Sequence, residues 1–198
     1  MRFENENKIN FYLYEVLGRI EENDKLLKIF NEELLDGELY YHSVAVAKIT
    51  IQLLISLNFK DANIIDTGVG AILHDAGKLY VPKEILYKPG KLVDDEFSII
   101  KKHPIQGYEV LKDTGISEDS LNVIRWHHEK LDGSGYPDGL TDIPMNVQLV
   151  TVADIFSAMT ERRCYHQPMT TAKTLRYLDS LNILSQEGVD ALFDSIID

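Results

Sequence analysis

Apolar residues recur at intervals of three and four along most of the chain, and this spacing is the feature that most limits its folds. The clearest run is residues 38–57, where Val44 and Leu54 belong to a strongly apolar helical pattern. Residues 147–152 are rich in β-branched side chains, but the pattern continues to Met159 as a helix would. Almost no segment alternates with period two. The sequence therefore predicts an all-α fold, a compact multi-helix bundle.

Capping and turn residues set the limits of the predicted helices. We expect Asp24 and Ser117 to be N-caps, and Gly77 to be a helix C-cap. Residues 1–36 are predicted to form an N-terminal helical extension packed on a domain that spans residues 37–198. The predicted helices cover residues 8–35 with a break near residue 23, then 38–57, 61–76, 83–86, a short helix from 94 or 95, 104–111, 117–128, 144–159, 170–181 and 186–196.

Composition narrows the classes of partner. The net charge of 20 − 32 = −12 argues against binding to a nucleic-acid polymer or an anionic membrane. An anionic substrate stays compatible with this charge if some carboxylates hold cations. No apolar run reaches membrane-spanning length, and the single cysteine, Cys164, cannot form an internal disulfide. These features predict a cytoplasmic protein.

Five of the six histidines, together with three carboxylates, occur where metal ligands would be useful. Glu38 and His42 are four residues apart on one helix and share a face. His127 and His128 point about 100° apart and so suit two different ions. Each residue alone is better explained by packing or solvation, but eight separate explanations are implausible. The candidate metal ligands are Glu38, His42, His74, Asp75, His103, His127, His128 and Asp154.

This ligand set favours particular metals and a particular chemistry. Imidazole and carboxylate ligands without thiolate suit Fe, Mn, Zn or Ni, and disfavour a closed structural zinc site. Eight ligands exceed the need of one ion, so we expect two or three, with Asp75 as the bridging carboxylate. A hydroxide that bridges two ions could attack a phosphoryl group. Three carboxylates against about +4 to +6 from the ions leave a positive centre that attracts phosphate.

A glycine-rich loop follows the paired histidines. Residues 127–137 read HHEKLDGSGYP, with two glycines for backbone freedom and Pro137 for rigidity. We interpret this segment as a lip over a reactive site. Glu129 is a candidate to orient a ligand histidine from behind, and Asp132 to shape the loop. Trp126, which precedes the histidines, is most simply a core residue.

These motifs resemble those of a known family. Residues 73–78 (LHDAGK) are similar to the signature of HD-domain phosphohydrolases, and residues 127–137 resemble the hallmark of the HD-GYP subgroup. The likeness extends from Glu38 to Thr170 and includes residues 85–92, 103–107 and 152–160. It implies a compact all-α HD-domain bundle with a metal centre between its helices.

The resemblance also implies an activity and a site. It implies a bacterial, metal-dependent phosphodiesterase that hydrolyses cyclic di-GMP to linear pGpG, GMP or both, with Fe or Mn as the favoured metals. The same eight residues would be the ligands, with Glu38 adding a third ion. His74, Asp75 and Lys78 would be catalytic, and Lys78, Tyr136 and Arg163 would bind substrate. Cys164 and His166 depart from the family pattern, and these departures would affect how strongly the substrate is bound.

Two alternatives stay open at this point. An HD phosphohydrolase could act on another nucleotide, although the Gly-Tyr-Pro loop disfavours this. A non-catalytic module could instead bind a nucleotide or a protein. Neither a homodimer nor a regulatory protein partner conflicts with the sequence.

Overall fold

The computed structural model describes residues 2–34, 37–161 and 167–197, and within these ranges it contains helices and no strand. The predicted all-α bundle is confirmed. None of the described helices combines the length and the apolar character needed to cross a bilayer. The helices are α1 (Arg2–Glu21), α2 (Asp24–Leu34), α3 (Gly37–Ser56), α4 (Asp61–Leu73), a 3₁₀ helix (Ala76–Tyr80), α5 (Lys83–Leu86), α6 (Asp94–Ile100), α7 (His103–Leu111), α8 (Glu118–Trp126), α9 (Met145–Thr160), α10 (Thr171–Ser180) and α11 (Gln186–Ile197).

Side-chain caps explain where two of the helices begin. The hydroxyl oxygen of Ser117 accepts a hydrogen bond from the backbone N–H of Ser120 at 3.2 Å, so Ser117 caps α8 as predicted. The cap predicted for Asp24 is wrong. The carboxamide oxygen of Asn23 accepts from the N–H groups of Lys25 and Leu26, and Asp24 is already the first residue of α2.

The core lies between α3, α4 and α9, with α8 packed on α4. Helix α1 packs on both α3 and α4, where its residues Val16 and Ile20 are fully buried in the same core as Ile51 and Ile72. Burial of apolar side chains, these among them, is the dominant favourable term in the free energy of folding. The division of the chain at residue 36 stays a prediction.

Gly77 has a different role from the predicted helix cap. Helix α4 ends at Leu73, and Gly77 lies inside the 3₁₀ helix, which packs against α7. A Cβ atom on Gly77 would lie 1.9 Å from the carbonyl oxygen of His103 and 2.7 Å from the backbone nitrogen of Gly107. Glycine is therefore required here because two backbones make contact, which periodicity alone could not reveal.

This arrangement brings several helix ends to one place. His74 and Asp75 follow α4, His103 opens α7, and His127 follows α8. His42 on α3 and Asp154 on α9 face them from within longer helices, and α3 packs on α9.

Replacing Gly77 should destabilise the protein. Gly77→Ala forces the 3₁₀ helix away from α7, and overpacking of this kind costs about 1–3 kcal/mol of unfolding free energy. Gly18→Ala is the matched control, because Gly18 lies inside α1 and its Cβ would meet nothing within 4 Å. The control should be neutral or stabilise by up to about 1 kcal/mol. Urea unfolding of both variants measures the difference, and equal stabilities would contradict the packing role.

Candidate metal centre

Seven of the eight predicted ligands come together at the centre of the bundle. His103, His127 and His128 form one group whose ligand atoms lie within 4.8 Å of one another. His42, His74 and Asp75 form a second group of the same compactness. Asp154 adjoins the second group, with its Oδ1 atom 3.0 Å from Nε2 of His42.

Asp75 lies between the two groups. Its Oδ1 atom is 3.3 Å from Nε2 of His103 and 4.0 Å from Nε2 of His127. Its Oδ2 atom is 3.4 Å from Nε2 of His74 and 2.6 Å from Nζ of Lys78. One carboxylate thus presents one oxygen to each group, which is the position that a bridging ligand requires.

Backbone carbonyls fix the orientation of three imidazoles. Nδ1 of His74 lies 2.8 Å from the carbonyl oxygen of Ala71, and Nδ1 of His103 lies 2.8 Å from that of Ile100. Nδ1 of His127 lies 3.1 Å from the carbonyl oxygen of Ile124. Because a carbonyl only accepts, each Nδ1 donates, and each Nε2 keeps a lone pair that points into the centre.

These lone pairs test whether a cation fits. Nε2 of His103 and Nε2 of His127 are 3.2 Å apart, so two acceptors face each other with no proton between them. Nε2 of His74 and Oδ1 of Asp75 are buried and have no hydrogen-bond partner. Buried acceptors without donors are costly, and divalent cations bound to the two groups would satisfy these four atoms. The residues fit a metal centre.

Side chains, and not backbone carbonyls, hold the buried imidazole of His42. Nε2 of His42 faces Asp154, while its Nδ1 lies 3.1 Å from the hydroxyl oxygen of Ser157 and 3.4 Å from Oε2 of Glu161. The Ser157 hydroxyl in turn donates to Oε1 of Glu161 at 2.6 Å. The sequence motifs assign no role to Ser157 or Glu161, although both follow Asp154 at helical spacing.

The pKa shifts of His127, His128 and Asp75 favour the forms that bind metals. For His42, burial alone would lower the pKa, but hydrogen bonds with Asp154 and Glu161 outweigh it and raise the pKa. Burial lowers the pKa of His127, and nearby imidazoles add to the effect. Burial, with a contribution from His103, also lowers the pKa of His128 to about 3, although a quarter of that side chain is exposed. For Asp75, burial alone would raise the pKa, but His74 and Lys78 outweigh it and hold the pKa well below its usual value. Neutral imidazoles and ionised carboxylates are the forms that bind metals.

The Gly-Tyr-Pro loop closes one side of the centre, as the sequence predicted. The ring of Tyr136 stacks on His128, with centroids 4.7 Å apart and an interplanar angle of 37°. The ammonium group of Lys101 lies 5.3 Å from the centroid of the Tyr136 ring. Burial raises the pKa of Tyr136, so its hydroxyl stays protonated and can donate a hydrogen bond at the mouth.

Glu129 anchors this loop. Its hydrogen bonds within the described residues go to the loop backbone and not to a ligand histidine, which corrects the expectation from the sequence. Its buried carboxylate accepts hydrogen bonds from the backbone N–H groups of Asp138, Gly139 and Leu140 at 2.6, 3.0 and 3.0 Å. Asp138 then binds the guanidinium of Arg125 and the indole N–H of Trp126. Trp126 is half-buried and packs against the hydrophobic core, as expected, and its indole N–H also donates to Asp138.

Gly135 and Asp132 give the loop its shape. A Cβ on Gly135 would lie 2.4 Å from Cα of Glu129, so the loop packs directly on the turn that follows α8. The carboxylate of Asp132 accepts from the N–H of Ser134 at 2.9 Å, as expected for a turn residue. The N–H of Tyr136 donates to the carbonyl of His128, which ties the stacked pair together.

The remaining predicted residues lie at the edge of the centre or outside the described ranges. Glu38 is exposed in the first turn of α3, and it lines a small cavity with His42, Asp75 and Lys78. Tyr87 lines the same cavity, and its hydroxyl is buried without a hydrogen-bond partner. The predicted substrate residue Arg163, with the departures at Cys164 and His166, falls outside the residues that the structure describes.

The described helices enclose a cluster of buried imidazoles and carboxylates. The protein is therefore a helical bundle whose central residues could bind divalent metals. Comparison with known proteins makes the class specific. A model of the HD domain family matches residues 29–183, a range that includes all eight candidate ligands. The chain belongs to the HD domain family, which confirms the family that its motifs resemble.

Individual relatives carry more specific names. Cyclic di-GMP phosphodiesterase PA4108 of Pseudomonas aeruginosa is 36% identical over 160 residues, which cover 79% of this chain and 39% of that protein. The cyclic di-GMP phosphodiesterase response regulator RpfG of Xanthomonas campestris is 42% identical over 129 residues, which cover 63% of this chain and 33% of that protein. The chain thus spans between a third and two fifths of the length of these curated relatives.

A solved structure shares the fold. Bd1817, an HDG"Y"P protein from Bdellovibrio bacteriovorus, superposes with a TM-score of 0.67 at 22% sequence identity. The match covers 81% of this chain and 53% of that one. At this identity the likeness bears on the fold alone.

Neutralising Glu129 should loosen the loop and destabilise the protein. In Glu129→Gln, a single amide oxygen replaces two charged oxygens, and the amide NH₂ meets a backbone donor. We expect a loss of about 1.5–3 kcal/mol of unfolding free energy, the range for hydrogen bonds to a charged group. Glu84→Gln, at an exposed site on α5, is the control and should be neutral. Urea unfolding measures both, and a neutral Glu129→Gln would disprove the anchoring role.

Proposed function

We propose that this chain is a metal-dependent phosphodiesterase domain that hydrolyses cyclic di-GMP to linear pGpG, to GMP or to both. The observation that carries the proposal is Asp75, whose two oxygens face two separate groups of imidazole nitrogens. Two metals about 3.5–4 Å apart, held by one shared carboxylate, are a recurring arrangement in phosphodiester hydrolysis. The named activity of the Pseudomonas and Xanthomonas relatives supports this substrate.

The two groups define which residues would hold the ions. His42, His74, Asp75 and Asp154 would hold one ion, and Asp75 with His103, His127 and His128 would hold another. The imidazole and carboxylate ligands suit Fe, Mn, Zn or Ni, and the family resemblance favours Fe or Mn among these. When bound, such ions acidify a coordinated water and neutralise phosphate charge.

Lys78 and Tyr136 would act on the substrate. The Lys78 ammonium group lies beside Asp75 and lines the same cavity as His42, where it can bind a phosphate oxygen and stabilise the charge that develops on it. The Tyr136 hydroxyl can donate to the substrate at the mouth of the centre. Arg163 remains a proposed phosphate or guanine contact on the resemblance alone.

The reaction adds water across a phosphodiester bond. The oxygen of water forms a bond to phosphorus, the bond from phosphorus to the 3′-oxygen breaks, and that oxygen takes up a proton. No described side chain is assigned as the general acid, so solvent is the proposed donor. His74 and Asp75 contribute by holding the centre together from the end of α4.

Hydrolysis by the metal-loaded protein tests the substrate. We expect protein purified without oxygen and loaded with Mn²⁺ or Fe²⁺ to convert cyclic di-GMP to pGpG or GMP, identified by chromatography and mass spectrometry. Asp75→Asn should lose at least one ion by elemental analysis and lower turnover at least about 1,000-fold, because the shared carboxylate loses its charge.

The same assay separates the alternatives. Faster hydrolysis of a nucleoside triphosphate, a monophosphate or guanosine tetraphosphate would favour another HD phosphohydrolase. Tight binding of cyclic di-GMP by fully metallated protein without turnover would favour a binding module. Normal turnover by Asp75→Asn would contradict the proposed centre.

We further propose that Glu38 binds a third ion at the edge of the centre, since Glu38 lines one cavity with His42, Asp75 and Lys78. Glu38→Gln should then reduce the metal content from three ions to two and leave the two central ions and part of the turnover. Elemental analysis after gel filtration measures the content. A wild-type content of two ions, unchanged by the substitution, would reject the third site.

A further inference from the structure

His42 differs from the other deeply buried imidazoles in what holds its outer nitrogen. Those of His74, His103 and His127 donate to backbone carbonyls of their own local turns. The outer nitrogen of His42, Nδ1, instead contacts the hydroxyl of Ser157 and the carboxylate of Glu161. Ser157 belongs to α9, and Glu161 directly follows that helix.

The direction of the hydrogen bonds follows from the serine proton. The Ser157 hydroxyl lies 2.6 Å from Oε1 of Glu161, and a carboxylate only accepts, so the serine proton is donated to Glu161. The serine oxygen is then free to accept, and Nδ1–H of His42 donates to it at 3.1 Å. The chain of donors runs from His42 through Ser157 to Glu161.

Two residues of α9 and Glu161, the residue that follows it, therefore face the imidazole of His42. Asp154, Ser157 and Glu161 are separated by three and four residues, so they lie on the same face of the helix. Asp154 faces the inner nitrogen of His42 at 3.0 Å, and the other two face the outer nitrogen. Ser157 is buried, and the Glu161 side chain is 32% exposed at the edge of the bundle.

We propose that Glu161, acting through Ser157, is a positioning residue that holds His42 in the tautomer and orientation needed to bind its ion. A carboxylate behind a ligand histidine fixes which nitrogen carries the proton and makes the other nitrogen a stronger ligand. This inference rests on the proposed role of His42 as a ligand, and it gives a role to two residues to which the sequence motifs assign none.

The arrangement gives the two ion sites different tolerance to mutation. The histidines held by carbonyls keep their orientation whatever side chains surround them, because the acceptor is main chain. His42 loses its orientation when one side chain of α9 changes. The ion held by His42 should consequently be the one lost first from variants of this helix.

Metal affinity and the imidazole tautomer test the proposal together. In Glu161→Gln and in Ser157→Ala, the Mn²⁺ bound with help from His42 should bind about 10–100-fold more weakly by titration calorimetry. The double variant should be no weaker than the worse single variant, because the two residues act as one unit. Glu15→Gln, at an exposed site on α1, is the control and should bind Mn²⁺ as the wild type does.

Nitrogen NMR of the Zn²⁺-loaded protein provides a readout independent of affinity. The wild type should show a protonated Nδ1 and a metal-bound Nε2 for His42, and Glu161→Gln should broaden or reverse that pattern while His103 keeps its own. Wild-type affinity and an unchanged His42 tautomer in both Glu161→Gln and Ser157→Ala would overturn the inference. If His42→Ala weakens Mn²⁺ binding in that case, the proposed metal centre survives, and if it does not, both proposals fall.

Discussion

The structure depends on a buried carboxylate placed between opposing sets of imidazoles. Asp75 is 1% exposed, and an ionised carboxylate at such a site is stable only when charged or donor groups surround it. The ammonium group of Lys78 is one such group, and bound cations would supply the rest. The backbone holds Asp75 there because α4 gives way to a 3₁₀ helix that packs directly on α7, an approach that only glycine at position 77 permits. A packing constraint thus determines where the chemistry lies.

Helix ends are the second element of this design. A helix end carries carbonyls without helical partners, and the imidazoles of His103 and His127 use such carbonyls to fix their protons on the outer nitrogen. The lone pairs of these rings consequently point inward before any ion binds. Crowding four acceptors without donors costs stability in the metal-free protein, so metal binding and folding stability are coupled.

The sequence predicted most helices to within a few residues and named the side chains that converge, for physical reasons that are easy to identify. Helical periodicity reports burial, and His, Asp and Glu are distinctive in apolar surroundings, as Asp154 illustrates. Contacts between distant backbones leave no such signal. The sequence therefore predicts a cap at Gly77, and it predicts Asp24 in place of Asn23 as the cap of α2, since either residue type caps helices well.

Residues that support a site from behind are the hardest to predict, and Glu129 and Glu161 show why. Both are glutamates near ligand candidates, and spacing alone could give either one the role of orienting a histidine. The structure separates them by direction: Glu129 turns to the backbone of residues 138–140, and Glu161 turns to Ser157 and His42. The choice depends on which donors the fold leaves unpaired. A carboxylate gains more hydrogen bonds from three consecutive N–H groups of a loop than from one imidazole. A short side chain such as Ser157 can also link a distant carboxylate to an imidazole by hydrogen bonds.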